Sequence, residues 1–421
     1  MGVGANMKRV LLLLPSNSYR VAAFVAACAD LDARVITGVD ATQASAQFGD
    51  SRVMQFNFSN PALGAREISD FAKNNPLDAI VPAEEDAVLL AAHAAQRLGL
   101  IHNSVDAVAA TRDKFQLRKL LTSAGLPQPA FSLLDAAKDL KDFDPLELPF
   151  EFPCVVKPTS LSASRGVIRV DDVSQMKEAF ARISDILAGS STDTPRILAE
   201  EYLPGEEVAV DGLMDKGAMH VLALFDKPDP LTGPYFPETI YITPSRKSSA
   251  ERTLIKQTVT VAAAALGLFH GPIHAELRIN NGQVYLLEIA ARSIGGRCGS
   301  SLRFADGHSL ERLILGHAVG EEGLVYQREP CAAGVMMVPV LEAGILRSVQ
   351  GLDVARRVAG VESVHITIPL GQRITPLPEG HHYLGFIFAR SSRPETAEAS
   401  LRRAYESLNI LVDPLNSGSY T

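Results

Sequence analysis

The chain has 421 residues, 47% of them hydrophobic and 21% charged, with a formal net charge of −8. That is globular material for roughly two to four structural units, and an acidic chain without a basic run argues against nucleic-acid binding as its main role. Four cysteines, Cys28, Cys154, Cys298 and Cys331, lack metal or disulfide spacing, as expected of a reduced cytoplasmic protein.

Met7 reads as a natural start, with residues 1–6 as an extension. Residues 8–14 predict a buried strand and 19–32 a helix. The opening "MKRVLLLL" with the later "VAAC" imitates a secretion signal ending at Cys28, but "PSNSYR" interrupts the apolar run too early. No segment is long and apolar enough to span a membrane. "ARVITG" predicts a second strand, and "DAIVPAEED" another that ends in an acidic loop. This alternation predicts a doubly wound parallel sheet over 1–112. Its first βα loop lacks the glycine fingerprint of a dinucleotide site.

A helix is expected over "TRDKFQLRKLLTSAG", capped by Thr111 and stopped by Gly125. The strand–loop–strand "FPCVVKPTSLSASRGVIRV", a helix at 172–188, the disordered-looking "GSSTDTP" and the strand "RILAEEYL" follow. These define a unit at 113–198 and lead into a second at 199–324. The second holds the strand "GEEVAVDGLM", the loop "DKPDPLTGPYFPET", a helix at 249–266 and the hairpin "IHAELRINNGQVYLLEIA". From 325 to 421, short strands and a helix near 394–408 predict a separate α+β lobe.

The hairpin carries the first chemical signal. With a two-residue Asn281-Gly282 turn, residue 275 would oppose 288, and Glu276 and Glu288 would face opposite ways. A three-residue loop over 280–282 sets 274 against 288 and 276 against 286, bringing His274, Glu276 and Glu288 to one face. Glu288 lies within the apolar "YLLEIAA", and a buried carboxylate needs a partner. Two such carboxylates suit a small hard cation that also binds phosphate oxygens. Lys157 ends an apolar strand and precedes a hydroxyl-rich loop closed by Arg165-Gly166, a pattern suited to covering phosphates, although the Walker A spacing is absent.

Taken in order, Lys114, Lys157 with its loop, "EEYLPGEE" and the Glu276/Glu288 hairpin resemble the ATP-grasp superfamily over roughly residues 8–320. The resemblance implies an ATP-grasp fold: the N-terminal doubly wound domain, two α+β lobes clasping the nucleotide, and a C-terminal α+β lobe. It implies ATP with Mg²⁺ (or Mn²⁺), held by Glu276 and Glu288. Lys114 and Lys157 would contact phosphates beneath a loop containing Ser160, Ser164 and Gly166. Glu200 and the backbone of Glu201, Tyr202 and Leu203 would hold adenine, and Glu207 the ribose.

Many members read E-x-N-P-R where this chain has Glu288-Ile-Ala290-Ala-Arg292. The Asn ligand is therefore missing, and the motif looks like that of the L-amino-acid ligases, in which this Arg meets the transferred phosphoryl group. The C-terminal "GFIFAR" also resembles that branch and its biotin-carboxylase-like relatives. The implied reaction joins a carboxylate to an amine, giving an amide of dipeptide type through an acyl phosphate. A ligase acting on bicarbonate or another small acid is the alternative, and a non-catalytic nucleotide sensor the third reading. Amino acids are the expected partners, without nucleic acid or membrane, and a homodimer is compatible. In the long loop, Tyr235 and Phe236 would be odd exposures for a mere linker. Glu238 is a candidate for holding an ammonium, and His274 for taking the amine's proton. The alternative substrate site is "PAEED".

Overall fold

The computed structural model describes residues 7–16, 18–40, 53–134, 148–190 and 196–415. The expected extension over 1–6 and residues 191–195 of "GSSTDTP" lie outside them. The N-terminal domain contains β1 (Lys8–Leu13), α1 (Val21–Ala29), β2 (Ala33–Val39), β3 (Val53–Gln55), α2 (Pro61–Ala72), β4 (Ala79–Pro82) and α3 (Glu85–Leu98). Its strands pair in parallel in the order β3-β2-β1-β4. Val10 and Leu12 pack with Phe24, while Leu11 and Leu13 join Ile68 and Leu90 in a different cluster. Burial of both faces explains why β1 is continuously apolar rather than alternating. The acidic "PAEED" follows β4, with Glu84 as the N-cap residue of α3 and Glu85 and Asp86 in its first turn. Carboxylates are favourable there, and the crevice beyond the carboxyl ends of parallel strands is where such sheets bind ligands.

A short helix, α4 (Val105–Thr111), precedes the expected one, α5 (Lys114–Ser123). Thr111 ends the first instead of capping the second, and its hydroxyl donates back to the Val108 carbonyl at 2.7 Å. The α5 cap is Asp113, whose carboxylate accepts from the N–H groups of Phe115 and Gln116. Next come β5 (Phe131–Leu134), β6 (Cys154–Pro158), β7 (Ile168–Val170), α6 (Val173–Ala188) and β8 (Ile197–Glu201). These four strands form an antiparallel sheet in the order β5-β8-β6-β7. The apolar stripe of α6 (Met176, Ala179, Phe180 and Ile183) covers it.

The large lobe follows with β9 (Glu206–Asp215), β10 (Ala218–Lys227), β11 (Ile240–Thr243), α7 (Ser249–Leu266), β12 (Gly271–Asn280), β13 (Gln283–Ala290) and α8 (Leu310–Ala318). The remaining elements are β14 (Ala332–Val338), β15 (Gly344–Gln350), α9 (Leu352–Arg356), β16 (Val361–Ile366), β17 (Arg373–Ile374), β18 (Gly385–Ser391), α10 (Pro394–Glu406) and β19 (Asn409–Pro414). One eight-stranded sheet runs β13-β12-β9-β10-β11-β14-β18-β16. The C-terminal strands β14, β18 and β16 thus extend the large-lobe sheet through β11, where Tyr241 pairs with Val335. β15, β17 and β19 form a smaller sheet of their own.

The hairpin turn differs from the expected three-residue loop. Asn280 pairs with Gln283, so Asn281 and Gly282 form a two-residue turn with φ of 50° and 76°, the left-handed pair such turns demand. A bulge between Glu276 and Leu277 then shifts the register, setting Glu276 opposite Glu288 and His274 opposite Ala290. The shared face survives, produced by the bulge and not by the turn.

Candidate active site

A cavity of about 460 Å³ is bounded by both lobes, the N-terminal domain and residues 381–383. Lys114, Lys157, Ser164, Glu200, Glu201, Tyr202, Leu203, Glu207, Glu238, His274, Glu276, Glu288 and Arg292 all line it. Ser160 and Gly166 are absent from its wall. Ser160 Oγ is buried without a hydrogen-bond partner among the described residues. Gly166, at φ 72°, donates its N–H to the Pro378 carbonyl at 2.9 Å.

On the small-lobe side, Glu200 is fully buried between two cations. Arg118 donates to its two oxygens at 2.8 and 3.3 Å, and Lys157 Nζ lies 2.5 Å from the second of them. Burial alone would raise the Glu200 carboxyl, but Arg118 and Lys157 outweigh it and lower its pKa. Burial lowers that of Lys157, against the pull of Glu200. Arg118 also donates to the carbonyls of Leu286 and Leu287, tying β8 to the β12–β13 hairpin. The Glu200 carboxylate is therefore neutralised by protein. In the adjoining strap, the Glu201 and Tyr202 N–H groups are already used by Ala130 and Pro153 carbonyls. The Tyr202 ring lies beneath two guanidinium groups, Arg169 at 4.5 Å and Arg278 at 5.5 Å.

Register aligns the next charges. Lys227 opposes Glu207, and Glu207 opposes Arg278, across β10, β9 and β12. Lys227 Nζ donates to Glu207 at 2.6 Å, Glu276 at 3.1 Å and Glu238 at 3.2 Å. Arg278 grips the other Glu207 oxygen at 3.2 and 3.3 Å. Burial works against the Lys227 ammonium, yet its three carboxylates hold its pKa well above normal. Burial likewise opposes ionisation of Glu276, but Lys227 and His274 hold its carboxyl well below the usual range. Glu238 moves the other way, pushed up by burial and by Glu276 despite Lys227.

These contacts correct the expectations for the long loop. Phe236 is buried, and the Tyr235 hydroxyl accepts from Arg182 at 2.5 Å, so neither is a free aromatic. Glu238 accepts from Tyr241 at 2.9 Å and Tyr383 at 3.0 Å as well as from Lys227. Its ammonium is supplied by the protein itself. His274 lies 3.5 Å from Asp211 and 3.6 Å from Glu276. Burial disfavours its charge, but these two acids prevail and raise its pKa. The ring lies on the cavity wall between these two acids.

Glu288, opposite Glu276, meets Lys114 Nζ at 3.4 Å, and that ammonium also donates to the Leu161 carbonyl at 2.7 Å. The loop carrying Leu161 is anchored from the C-terminal side: Arg165 donates to the Glu379 carbonyl at 3.0 Å, and Arg182 pairs with the Glu379 carboxylate. At the N-terminal end of the cavity, Arg292 donates to Glu85 at 2.7 Å, and Ser18 donates to Glu84 at 2.6 Å. Tyr19 and His382 lie 3.2 Å apart. The "PAEED" acids thus line the same cavity as the nucleotide lobe.

Residues the sequence reading missed include Arg118, Lys227, Arg278, Tyr241 and Tyr383. Lys227 carried a usable signal, since it ends the apolar run "HVLALFDK" just as Lys157 ends "VVK". Tyr383 carried none locally.

Comparisons with known proteins agree with this fold. A family profile described as ATP-grasp domain matches residues 150–301, and L-amino acid ligase C-terminal domain 2 matches 336–413. Alanine–anticapsin ligase of Bacillus subtilis (strain 168) is 29% identical over 258 residues, 56% of this chain and 53% of that protein. D-alanine–D-alanine ligase of Neisseria gonorrhoeae (strain NCCP11945) is 28% identical over 204 residues, 48% of this chain and 63% of its own length. The chain thus spans about half to two thirds of these curated relatives. The crystal structure of an L-amino acid ligase from Bacillus licheniformis superposes with a TM-score of 0.82 at 26% identity, covering 97% of this chain and all of that one. Among the described residues, no helix is long and apolar enough to cross a membrane.

Proposed function

The chain is an ATP-grasp protein with an L-amino acid ligase C-terminal domain, and from that premise we propose that it is an ADP-forming ligase joining two amino acids. One observation carries the reading. A single cavity connects the cations Lys114 and Lys157 to the opposed carboxylates Glu276 and Glu288, and continues to Arg292 and the acids Glu84 and Glu85. In this reading the carboxylate of one amino acid attacks the γ-phosphorus of ATP, and ADP leaves as the acyl phosphate forms. The amine of the second then attacks the acyl carbon; phosphate departs and the amine's proton is lost. Most of the rate comes from positioning and charge neutralisation.

Lys114 and Lys157 fit the role of binding nucleotide phosphates, and Arg292, with its planar fork, that of meeting the transferred phosphoryl group. Glu201–Leu203 and Glu207 are the adenine and ribose side. The donor set fits Mg²⁺: two carboxylates, opposed in register, both on the cavity wall, one held ionised by its neighbours. Bound there, the ion would neutralise phosphate charge. Glu84 and Glu85 fit an amino-acid ammonium better than Glu238, whose oxygens already take three donors.

The test is ATP-dependent phosphate release across amino-acid pairs and across bicarbonate and simple carboxylic acids, with mass detection of the product. Release triggered by an amino-acid pair, with dipeptide formed, is expected. Release with bicarbonate and no dissolved amino acid would replace this reading with the bicarbonate alternative.

A further inference from the structure

At the ends of β9 and β12 away from Glu207 and Glu276, Asp215, His270 and His317 converge. Each offers one ligand atom, and the three atoms lie within 4.8 Å of one another. Asp215 ends β9, His270 immediately precedes β12, and His317 lies in the last turn of α8. Four residues of extended strand, about 13 Å, separate His270 from His274 on the cavity wall, and none of the three lines that cavity.

Both rings are positioned by their surroundings. His317 Nε2 lies 3.1 Å from the Met214 carbonyl, so Nε2 carries the proton and Nδ1 the lone pair. This is how metal-ligating histidines are usually oriented by a backbone acceptor. His270 is set by Asn103, whose Oδ1 accepts from the N–H groups of Phe269 and His270 at 2.6 and 2.9 Å. Its Nδ1 is buried without a hydrogen-bond partner among the described residues and stands 3.8 Å from Asp215 Oδ1. The imidazoles stack with centroids 4.4 Å apart and planes at 25°. Burial lowers both pKa values, that of His317 to about 4, which leaves neutral rings. A purely structural stack would gain nothing from an unpaired buried ring nitrogen beside a carboxylate.

We propose that Asp215, His270 and His317 form a binding site for a divalent cation of the zinc type, distinct from the hairpin carboxylates. Two imidazoles and one carboxylate suit Zn²⁺ or Co²⁺, whereas Mg²⁺ and Ca²⁺ prefer oxygen-only cages. Water would complete the coordination. The ion clamps the β9–β10 turn and the end of α8 to the start of β12, the strand that carries Glu276.

The experiment titrates the full metal-stripped chain with Zn²⁺ by calorimetry, with Mg²⁺ and an ATP analogue in excess to saturate the cavity. Co²⁺ serves as a visible-absorption probe of nitrogen ligation. One Zn²⁺ per chain is expected, with affinity reduced at least about tenfold to a hundredfold in His270→Gln and Asp215→Asn and unchanged in Glu288→Gln. Unchanged metal-free melting temperatures show that both variants fold, and Asp215 is half-exposed, so Asp215→Asn alone keeps the test decisive. Absence of Zn²⁺ binding under excess Mg²⁺ would overturn the proposal. So would binding that survives both variants and is lost in Glu288→Gln.

Discussion

The two ends of the cavity pair their charges differently. On the nucleotide side each buried carboxylate has two cations: Arg118 and Lys157 for Glu200, and Lys227 and Arg278 for Glu207. At the N-terminal end Arg292 faces three acids, Glu85, Glu84 and Glu288, with Arg112 3.8 Å from Glu85 and Lys114 3.4 Å from Glu288. Burying an ion pair brings little net stability, so such pairings are better explained by what each end receives. Paired cations on the wall suit a polyphosphate, and acids clustered about Arg292 suit an ammonium together with a metal ion.

The largest test removes the charge where the two ends meet. Glu288→Gln should reduce ATP-dependent phosphate release by about a thousandfold, a loss typical of deleting one preorganised electrostatic contact. The melting temperature should barely move, because the Glu288 side chain is 30% exposed and its Lys114 contact is long at 3.4 Å. Near-normal turnover in Mg²⁺ would remove the metal assignment and the junction with it.

A smaller effect is expected on the cationic side. Lys157→Met leaves Glu200 with Arg118 as its remaining partner, so the pocket should survive while one phosphate-facing charge is lost. The KM for ATP should rise about tenfold. Unchanged ATP kinetics would mean that Lys157 serves only Glu200. On the acidic side, Glu84→Gln should raise the KM of one amino acid by about tenfold and leave the KM for ATP alone. Equal effects on both substrates would erase the distinction between the ends.

Legibility in the sequence followed the range of the interactions. The ATP-grasp order was readable because Lys157, "EEYLPGEE" and Glu288 each interrupt an apolar strand, where charge needs a reason. The hairpin face was inferred correctly from an incorrect turn: no local pattern marks the bulge at Glu276/Leu277, which depends on pairing with β9 and β13. Asp113 was overlooked as a cap because Thr111, two residues earlier, is an equally good one in isolation. The partners of Glu238 were not foreseen because two of the three lie outside its own segment. Tyr383 is 145 residues distant, and Lys227 lies across a Pro-rich loop. The joining of β14 to β11 was hidden for the same reason: strand pairing between distant segments leaves no periodic trace in either one.

The smallest prediction concerns Glu238, where the two ends share one hydrogen-bonded cluster. Burial and the neighbouring Glu276 raise its pKa despite Lys227. The folded state therefore holds this proton to higher pH than the unfolded chain. Stability from this group is fully present below the unfolded pKa, near 4.3, and is lost as pH rises through the folded value. Gln keeps the shape and cannot titrate. The melting temperature of the wild type minus that of Glu238→Gln should therefore be highest near pH 4 and decline by about a degree or two toward pH 7. Glu276 has the opposite slope, because its pKa is depressed, but it is present in both proteins and largely cancels in the difference. A difference that grows with pH would show Glu238 to be the ionised partner of Lys227. Glu276 would then be the carboxyl that keeps its proton, which would weaken it as a metal ligand.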